Sequence, residues 1–198
     1  MIYDLQKRIA NVAICNETEQ KILSIEVLHK YSDVYNNRFD NDGEGIDNRA
    51  CTMKIMKAEY HTGDFTTGRD WWMVTWTTED GLTHLTSPHN YRGTIDTYEK
   101  IGGQLLPIVS GLALQTAITS PEPTTKAIAA AIATTTLIAN SFINSESTAG
   151  YKQHILREED ASNNKIILTR NEVKFVSNSG ESSTGVFSFR ATQSPDNK

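Results

Sequence analysis

Cysteine, glycine and proline are scarce in this sequence. Two cysteines in 198 residues are too few for a disulfide-rich scaffold, and their wide spacing fits no zinc knuckle. Glycine and proline together supply 17 residues, which excludes a collagen-like or low-complexity chain. Residues 1–16 contain no apolar stretch typical of a secretory signal. We therefore predict a protein that is cytoplasmic or is released without a signal peptide.

Positive charge is also scarce. Lys and Arg number 19 against 24 Asp and Glu, which gives a net charge of −5. Nucleic-acid binding requires a basic surface, so we expect no nucleic-acid partner. The sequence also lacks Gly-x-Ser-x-Gly, a glycine-rich phosphate loop, His-Glu-x-x-His and Cys-x-x-Cys. We accordingly predict a protein that is not an enzyme and that needs no cofactor.

The charges are unevenly distributed along the chain. Between residues 101 and 145 only Glu122 and Lys126 are charged, whereas residues 1–100 hold 11 basic and 16 acidic side chains. This contrast divides the chain into a polar front, a weakly charged middle and a polar tail. We predict a single domain at 1–198, with a first block of strands at 1–93, a helical hairpin at 94–145 and a second block of strands at 146–198.

Both polar blocks show the alternation of apolar and polar residues that is typical of half-buried strands. Val173 and Phe175, and then Phe187 and Phe189, are the predicted inward-facing residues of the last two strands. No strand–helix–strand alternation occurs, so a doubly wound nucleotide-binding fold is excluded. The predicted strands lie at 9–16, 22–29, 51–60, 70–78, 82–86, 151–157, 165–169, 172–176 and 186–191.

The weakly charged middle has the composition of two helices. Asp96 and Glu99 suit the first turn of a helix that begins near residue 94, and Pro107 would kink it. A second helix is predicted over residues 126–143, after a proline-containing loop. The predicted fold is therefore α+β and mainly β: an antiparallel β-sandwich with an inserted apolar helical hairpin at about 94–145.

Three roles for the hairpin remain open at the level of sequence. Residues 127–145 are 19 uncharged residues, close to the ~20 that span a bilayer, so the hairpin would insert into lipid in a membrane-active protein. Alternatively it packs on a sheet or forms a homo-oligomer contact, since its many Ala and Thr residues allow close helix packing. A pocket for a small apolar ligand or a membrane lipid is the third role.

All three tryptophans lie within residues 67–76. On a strand, Trp72 and Trp76 share one face and Trp71 lies on the other, which predicts a central strand covered on both sides. The alternative is an exposed aromatic platform, with Trp71, Trp72 and Trp76 as candidate ligand- or lipid-binding residues.

The acidic stretch at residues 40–47 is a candidate metal site. Asp40, Asp42 and Glu44 occupy the first, third and fifth positions of a loop with glycine at the sixth position, Gly45, as calcium loops require. Cys51 stands where the bidentate Glu of a calcium loop belongs, so an acidic turn without metal is the favoured interpretation.

Ionisable side chains are densest near residue 154. A histidine beside carboxylates can act in acid–base chemistry or metal binding, whereas salt bridging at a strand end is the structural alternative. The residues of this charged cluster are His154, Arg157, Glu158, Glu159 and Asp160.

The two cysteines, Cys15 and Cys51, lie at predicted strand edges. They would pair in an oxidising compartment, and in the absence of a leader the expected state is the reduced thiol.

Four stretches together resemble one known family. They are residues 28–35, 67–76, 144–150 and 154–161, and they include Asp-Trp-Trp-x-Val-Thr-Trp at 70–76 and Gln-His-Ile-Leu-Arg-x-Glu-Asp at 153–160. The chain resembles the domain family named for its up-regulation in long-lived nematodes with an impaired insulin-like receptor. The resemblance spans roughly residues 8–190, and it implies the domain extent but no activity or catalytic residues.

The function predicted from the sequence is therefore that of a non-enzymatic protein that binds a partner or itself. The alternative is a membrane-active protein, lipid-binding or pore-forming, whose hairpin inserts into lipid.

Overall fold

The structure is a computed structural model that describes residues 5–32, 34–63, 66, 68–87, 123–143, 148 and 150–190. Its elements, in chain order, are β1 (Gln6–Glu17), β2 (Ile22–Tyr31), β3 (Tyr35–Asp40), β4 (Met56–Thr62), β5 (Asp70–Thr78), β6 (Leu82–Ser87), α1 (Pro123–Ile143), β7 (Lys152–Gln153), β8 (Asn164–Thr169), β9 (Glu172–Ser177) and β10 (Gly180–Arg190).

The ten strands form one sheet that curls into a nearly closed barrel. Their order is β3-β2-β5-β6-β10-β9-β8-β1-β4, and the short β7 pairs with β5. The two outermost strands, β3 and β4, are joined by the side chain of Asn37. Its Oδ1 accepts a hydrogen bond from Glu59 N at 2.9 Å, and its Nδ2 donates to Glu59 Oε2 at 3.3 Å. Side-chain hydrogen bonds thus close the gap that the backbone ladder leaves.

The predicted antiparallel β-sandwich is wrong. A sandwich consists of two sheets packed face to face, whereas here a single sheet curves until its edges meet. The strands from the two ends of the chain join through β1 and β8, which are parallel, with Val12 opposite Asn164. Alternation in the sequence marks one buried face on each strand, and that signal is the same in a sandwich and in a barrel.

The predicted helical hairpin is also wrong. Within the described residues α1 is the single helix, and residues 94–122, 144 and 145 of the predicted hairpin lie outside them. None of the helical structure described for this chain is long and apolar enough to cross a membrane. The helical hairpin on which the membrane-active alternative rested is therefore not supported.

α1 packs against the outer surface of the barrel over β2, β5 and β6. Small residues on its inner side allow close approach: Thr135 Oγ1 lies 2.8 Å from Thr77 Oγ1, and Thr83 donates to Ala131 O at 3.3 Å. Pro123 begins the helix, where its missing N–H costs no hydrogen bond. The sheet therefore has apolar residues on both faces wherever α1 covers it.

The core has two parts, one inside the barrel and one beneath α1. β5 contributes to both, since Trp72, Val74 and Trp76 point inward while Met73 packs under the helix. The prediction that both faces of this strand are covered is confirmed. Inside the barrel the largest fully buried side chains are Trp72, Trp76, Tyr60, Phe175, Ile14, Ile22, Ile25 and Ile166.

Candidate functional site

One end of the barrel holds a cavity of about 410 Å³, which we call the end pocket. The β1–β2, β5–β6 and β8–β9 turns surround it, with inward residues of β6 and β10 as further walls. Its volume lies within the range of about 300–1,000 Å³ that is typical of ligand sites. The lining residues are Thr18, Glu19, Gln20, Trp76, Thr78, Asp80, Leu82, His84, Thr169, Arg170, Asn171 and Ser188.

The β1–β2 turn is held in place by Asn16, which is fully buried. Its Oδ1 accepts hydrogen bonds from the backbone N and the Oγ1 of Thr18, at 2.9 and 2.7 Å. Its Nδ2 donates to the carbonyl oxygens of Gln20 and Ile46, each at 2.8 Å. Glu19 has a left-handed φ of 69°, which these bonds support. The turn therefore presents Glu19 and Gln20 to the end pocket.

Trp76 forms part of the inner wall of the end pocket. It is fully buried, and its indole stacks on the His84 ring with centroids 5.1 Å apart and planes 13° apart. Its Nε1–H has no hydrogen-bond acceptor among the described residues. A buried indole usually finds such a partner, so this donor is an unsatisfied group in a residue of the pocket lining.

A chain of hydrogen bonds runs along the pocket wall. Ser188 Oγ lies 2.7 Å from His84 Nδ1, and His84 Nε2 lies 2.8 Å from Thr78 Oγ1. Thr78 Oγ1 donates to Asp80 Oδ1 at 2.7 Å. Asp80 also accepts from Leu82 N at 3.1 Å. Side chains from three strands, β5, β6 and β10, thus form one continuous chain of hydrogen bonds.

The protonation states of this chain follow from its surroundings. Burial alone would raise the pKa of Asp80, but hydrogen bonds from Thr78, Leu82 N and Gln20 outweigh it, and the pKa lies below the ordinary 3.8. Burial lowers the pKa of His84 below the ordinary 6.5, and nearby Asp80 offsets part of that effect. At neutral pH, Asp80 is therefore a carboxylate and His84 is neutral.

These states fix the direction of each hydrogen bond. A carboxylate only accepts, so Thr78 donates its proton to Asp80, and its oxygen then accepts from His84 Nε2–H. The neutral imidazole has a single N–H, which leaves Nδ1 as the acceptor for the Ser188 hydroxyl. The arrangement can therefore withdraw a proton from Ser188, and it can orient a ligand at its hydroxyl.

The other two tryptophans lie outside the end pocket. Trp72 is inside the barrel toward the opposite end, and its Nε1 donates to His154 O at 2.9 Å. Trp71 is half-buried on the outer face and packs against the cluster under α1. Among the three predicted binding tryptophans, Trp76 is the residue that lines the cavity.

A buried histidine–aspartate contact lies toward the opposite end of the barrel. His29 Nε2 lies 2.8 Å from Asp70 Oδ1, and His29 Nδ1 lies 3.1 Å from Asn37 Oδ1. Because Asn37 Oδ1 already accepts from Glu59 N, it is an acceptor toward His29 too. Both ring nitrogens of His29 therefore face side-chain oxygens. Both His29 and Asp70 are 0% exposed, so the pair is a structural element of the interior.

The predicted charged cluster does not form one site. His154 is buried, stacks on Phe175 and bonds through Nδ1 to Ser182 Oγ at 3.0 Å. Glu158 pairs with Arg8 on the surface. Asp160 is buried and accepts from the backbone N of Ser179 at 2.9 Å. The side chains of Arg157 and Glu159 are exposed.

The acidic stretch that resembled a calcium loop is occupied by an ammonium group. Lys54 Nζ lies 2.5 Å from Asp42 Oδ2 and donates to Asp40 O at 2.7 Å. Glu44 is exposed and contributes its carbonyl oxygen to a bond from Asn41 Nδ2. No group of three or more His, Cys, Asp or Glu is placed to hold a metal ion in the described part of the chain.

Cys15 and Cys51 are joined by a disulfide, and their backbones pair across the same bridge. The expectation of reduced thiols is therefore wrong for this structure, and the predicted alternative, pairing across strand edges, is what is found. The bond ties the segment between β3 and β4 to the last part of β1.

Sequence reasoning missed most of the end pocket. His84 and Ser188 carried no motif, since they lie on different strands far apart in the chain. The alternation around residue 188 is a usable signal, but the prediction that Phe187 and Phe189 face inward places Ser188 on the wrong face. Phe189 packs under α1 instead, and Phe187 is 44% exposed.

The family model described as Up-Regulated in long-lived daf-2 matches residues 6–186. No curated protein matches the chain in sequence. The matched region contains nine complete strands and most of β10, together with every residue that lines the end pocket except Ser188. The resemblance seen in the sequence is confirmed, and the chain belongs to the Up-Regulated in long-lived daf-2 family.

Proposed function

We propose that this protein binds a small, hydroxyl-rich ligand in the end pocket. The observation that carries the proposal is Trp76, whose side chain lines the pocket and whose buried N–H has no acceptor among the described residues. An unsatisfied buried donor costs about 1–3 kcal/mol. A ligand oxygen that accepts from Trp76 removes that cost, so binding of an oxygen-rich molecule is favoured.

A second unsatisfied group supports a hydroxyl in particular. Gln20 Oε1 is buried in the lining of the same pocket and has no donor in the described part of the chain. A hydroxyl accepts one hydrogen bond while it donates another, as the Trp76 donor and the Gln20 acceptor require. The polar lining favours such a ligand over the apolar molecule or membrane lipid that the sequence suggested.

The charges of the lining favour an uncharged ligand. Glu19 and Asp80 carry carboxylates, and Arg170 carries a guanidinium group. His84 adds no positive charge at neutral pH, since burial lowers its pKa. A phosphate or carboxylate ligand would meet more negative than positive charge, whereas a sugar or an inositol would not.

The proposal is tested by nuclear magnetic resonance on protein labelled with ¹⁵N at tryptophan. Titration with glucose, sucrose and myo-inositol should shift the indole N–H signal of Trp76 and leave that of Trp71 in place. Gln20→Ala should weaken binding by about tenfold, the effect of losing roughly one hydrogen bond.

The matched control is Trp71→Phe, which changes an aromatic residue on the outer face of the same strand and should bind as the wild type does. Trp76→Phe should abolish binding. Unchanged indole signals with all three compounds would refute the proposal.

Self-association, also predicted from the sequence, is independent of the pocket, and light scattering on the purified protein tests it.

A further inference from the structure

Two serines of β10, Ser188 and Ser182, each contact the ring of a histidine from another part of the chain, and the surroundings of the two pairs differ. In the end pocket, the ring of His84 is held between Ser188 and Thr78, and Thr78 is bonded to Asp80. Near the opposite end, Ser182 Oγ lies 3.0 Å from His154 Nδ1. His154 Nε2 is buried and has no partner among the described residues, so no carboxylate orients that ring.

Nucleophilic catalysis by serine needs a base within hydrogen-bond reach and a third group that orients the base. The series of hydrogen bonds in the end pocket meets both requirements. His84 is the base, the Thr78 hydroxyl orients its ring, and Asp80 orients that hydroxyl. Ser188 is exposed at the pocket wall, so a substrate can reach its Oγ. The charged groups in the lining of the end pocket are Asp80, Glu19 and Arg170, one from each turn that surrounds it, and Arg190 donates to Asp80 O at 3.0 Å.

We propose that Ser188 is an activated nucleophile that accepts an acyl group from small carboxylic esters, with His84 as its general base and Thr78 and Asp80 as positioning residues. This activity goes beyond ligand binding and shares the end pocket with it. It does not require that the bound ligand be a sugar.

The chemical step balances as an ordinary acyl transfer. Ser188 Oγ forms a bond to the acyl carbon, and its proton moves to His84 Nδ1. The bond between the acyl carbon and the leaving oxygen breaks, and the leaving group departs as an alkoxide or phenolate. His84 then returns its proton to the leaving group or to water, and the acyl group remains as an ester on Ser188.

The test uses 4-nitrophenyl acetate and the full-length protein. We expect release of one equivalent of 4-nitrophenolate per chain and an acetyl group on the peptide that contains Ser188, located by mass spectrometry. His84→Gln should slow acetylation about 100-fold or more, the typical contribution of a general base. The rate should fall as the pH falls through the pKa of His84, because the protonated ring cannot accept the serine proton.

Three further variants separate activation from simple exposure. Thr78→Val should slow acetylation at least about tenfold, whereas Thr78→Ser, which keeps the hydroxyl, should restore most of the rate. Ser182→Ala removes the serine of the pair that lacks a carboxylate and should leave labelling unchanged. Circular dichroism of each variant checks that it is folded.

Each outcome decides the inference. Acetyl groups on lysines or at Ser182 with none on Ser188, or equal rates for the wild type and Thr78→Val, would overturn it. Sugar binding without acetylation of Ser188 would overturn this inference and leave the proposed function standing. Acetylation of Ser188 without sugar binding would support this inference and overturn the proposed function.

Discussion

Asp160 and Asn16 are both fully buried, and each holds a turn at one end of the barrel. The carboxylate of Asp160 accepts from Arg157 N at 2.7 Å and from the N and Oγ of Ser179 at 2.9 and 2.6 Å. Asn16 does the same for the turn that presents Gln20 to the end pocket. At this scale, one polar side chain satisfies the backbone groups that a tight turn leaves unpaired.

The acid stability of the protein should depend on Asp160. Burial alone would raise the pKa of this carboxyl, but the bonds from Ser179 and Arg157 N outweigh it and lower the pKa below the ordinary 3.8. Its stabilising contribution is then complete above the unfolded-state pKa and is lost as the pH falls through the folded-state pKa. Asp160→Asn should cost about 1–3 kcal/mol at pH 7.

Urea unfolding at several pH values measures this effect. The difference between the wild type and Asp160→Asn should shrink as the pH falls below about 4, since the wild-type carboxyl then takes up a proton. Glu159→Gln, at the exposed neighbouring position, is the control and should change little. A difference that stays constant from neutral to acid pH would contradict the assignment.

At the scale of elements, β5 is the strand that connects the site to the rest of the molecule. Its inner face supplies Trp76 and Thr78 to the end pocket, and its outer face supplies Met73 and Thr77 to the contact with α1. The helix approaches closely because alanine and threonine form most of its inner side. The packing of α1 on the outer face of β5 should therefore stabilise the strand whose inner face lines the end pocket.

Enlarging the inner side of α1 should destabilise the protein. Ala139 is 0% exposed on the inner side of α1, so Ala139→Leu forces extra volume into a filled contact and should cost about 1–3 kcal/mol. Ala133→Leu introduces the same side chain at a half-buried position of the same helix and should cost less. Thermal unfolding of both variants measures the difference, and equal losses would argue against a tight contact at Ala139.

At the scale of the whole molecule, the barrel depends on links between distant parts of the chain. β1 pairs with β4 on one side and with β8 on the other, so it joins the front of the chain to its tail. Asn37 closes the last gap between β3 and β4. The disulfide adds a covalent link over a sequence separation of 36 residues.

Removing the disulfide should lower the stability of the whole barrel. A cross-link over a loop of this length is expected to contribute about 2–4 kcal/mol, mainly by restricting the unfolded chain. The double variant Cys15→Ala/Cys51→Ala should therefore unfold at a lower urea concentration than the wild type. Dithiothreitol should lower the midpoint of the wild type and leave that of the double variant unchanged, and equal midpoints without reductant would contradict the prediction.

Several strands could be predicted because their signals are local. For β5 the predicted bounds, 70–78, are the observed ones. β3 was missed because, of its six residues, Phe39 is the buried one, which leaves little alternation to detect. The faces of β10 were exchanged because α1 covers the outer face, so apolar residues occur on both sides and a one-residue error reverses every side chain.

The sequence by itself determined the strand-rich composition, the bounds of β5, the covering of both its faces and the family. Only the tertiary structure decided that the sheet closes into a barrel, because alternation shows that a strand has a buried face and does not show which strand lies beside it. The end pocket depends on that closure. Gln20, His84, Arg170 and Ser188 are remote in the chain, and they meet because the strands that carry them surround one opening.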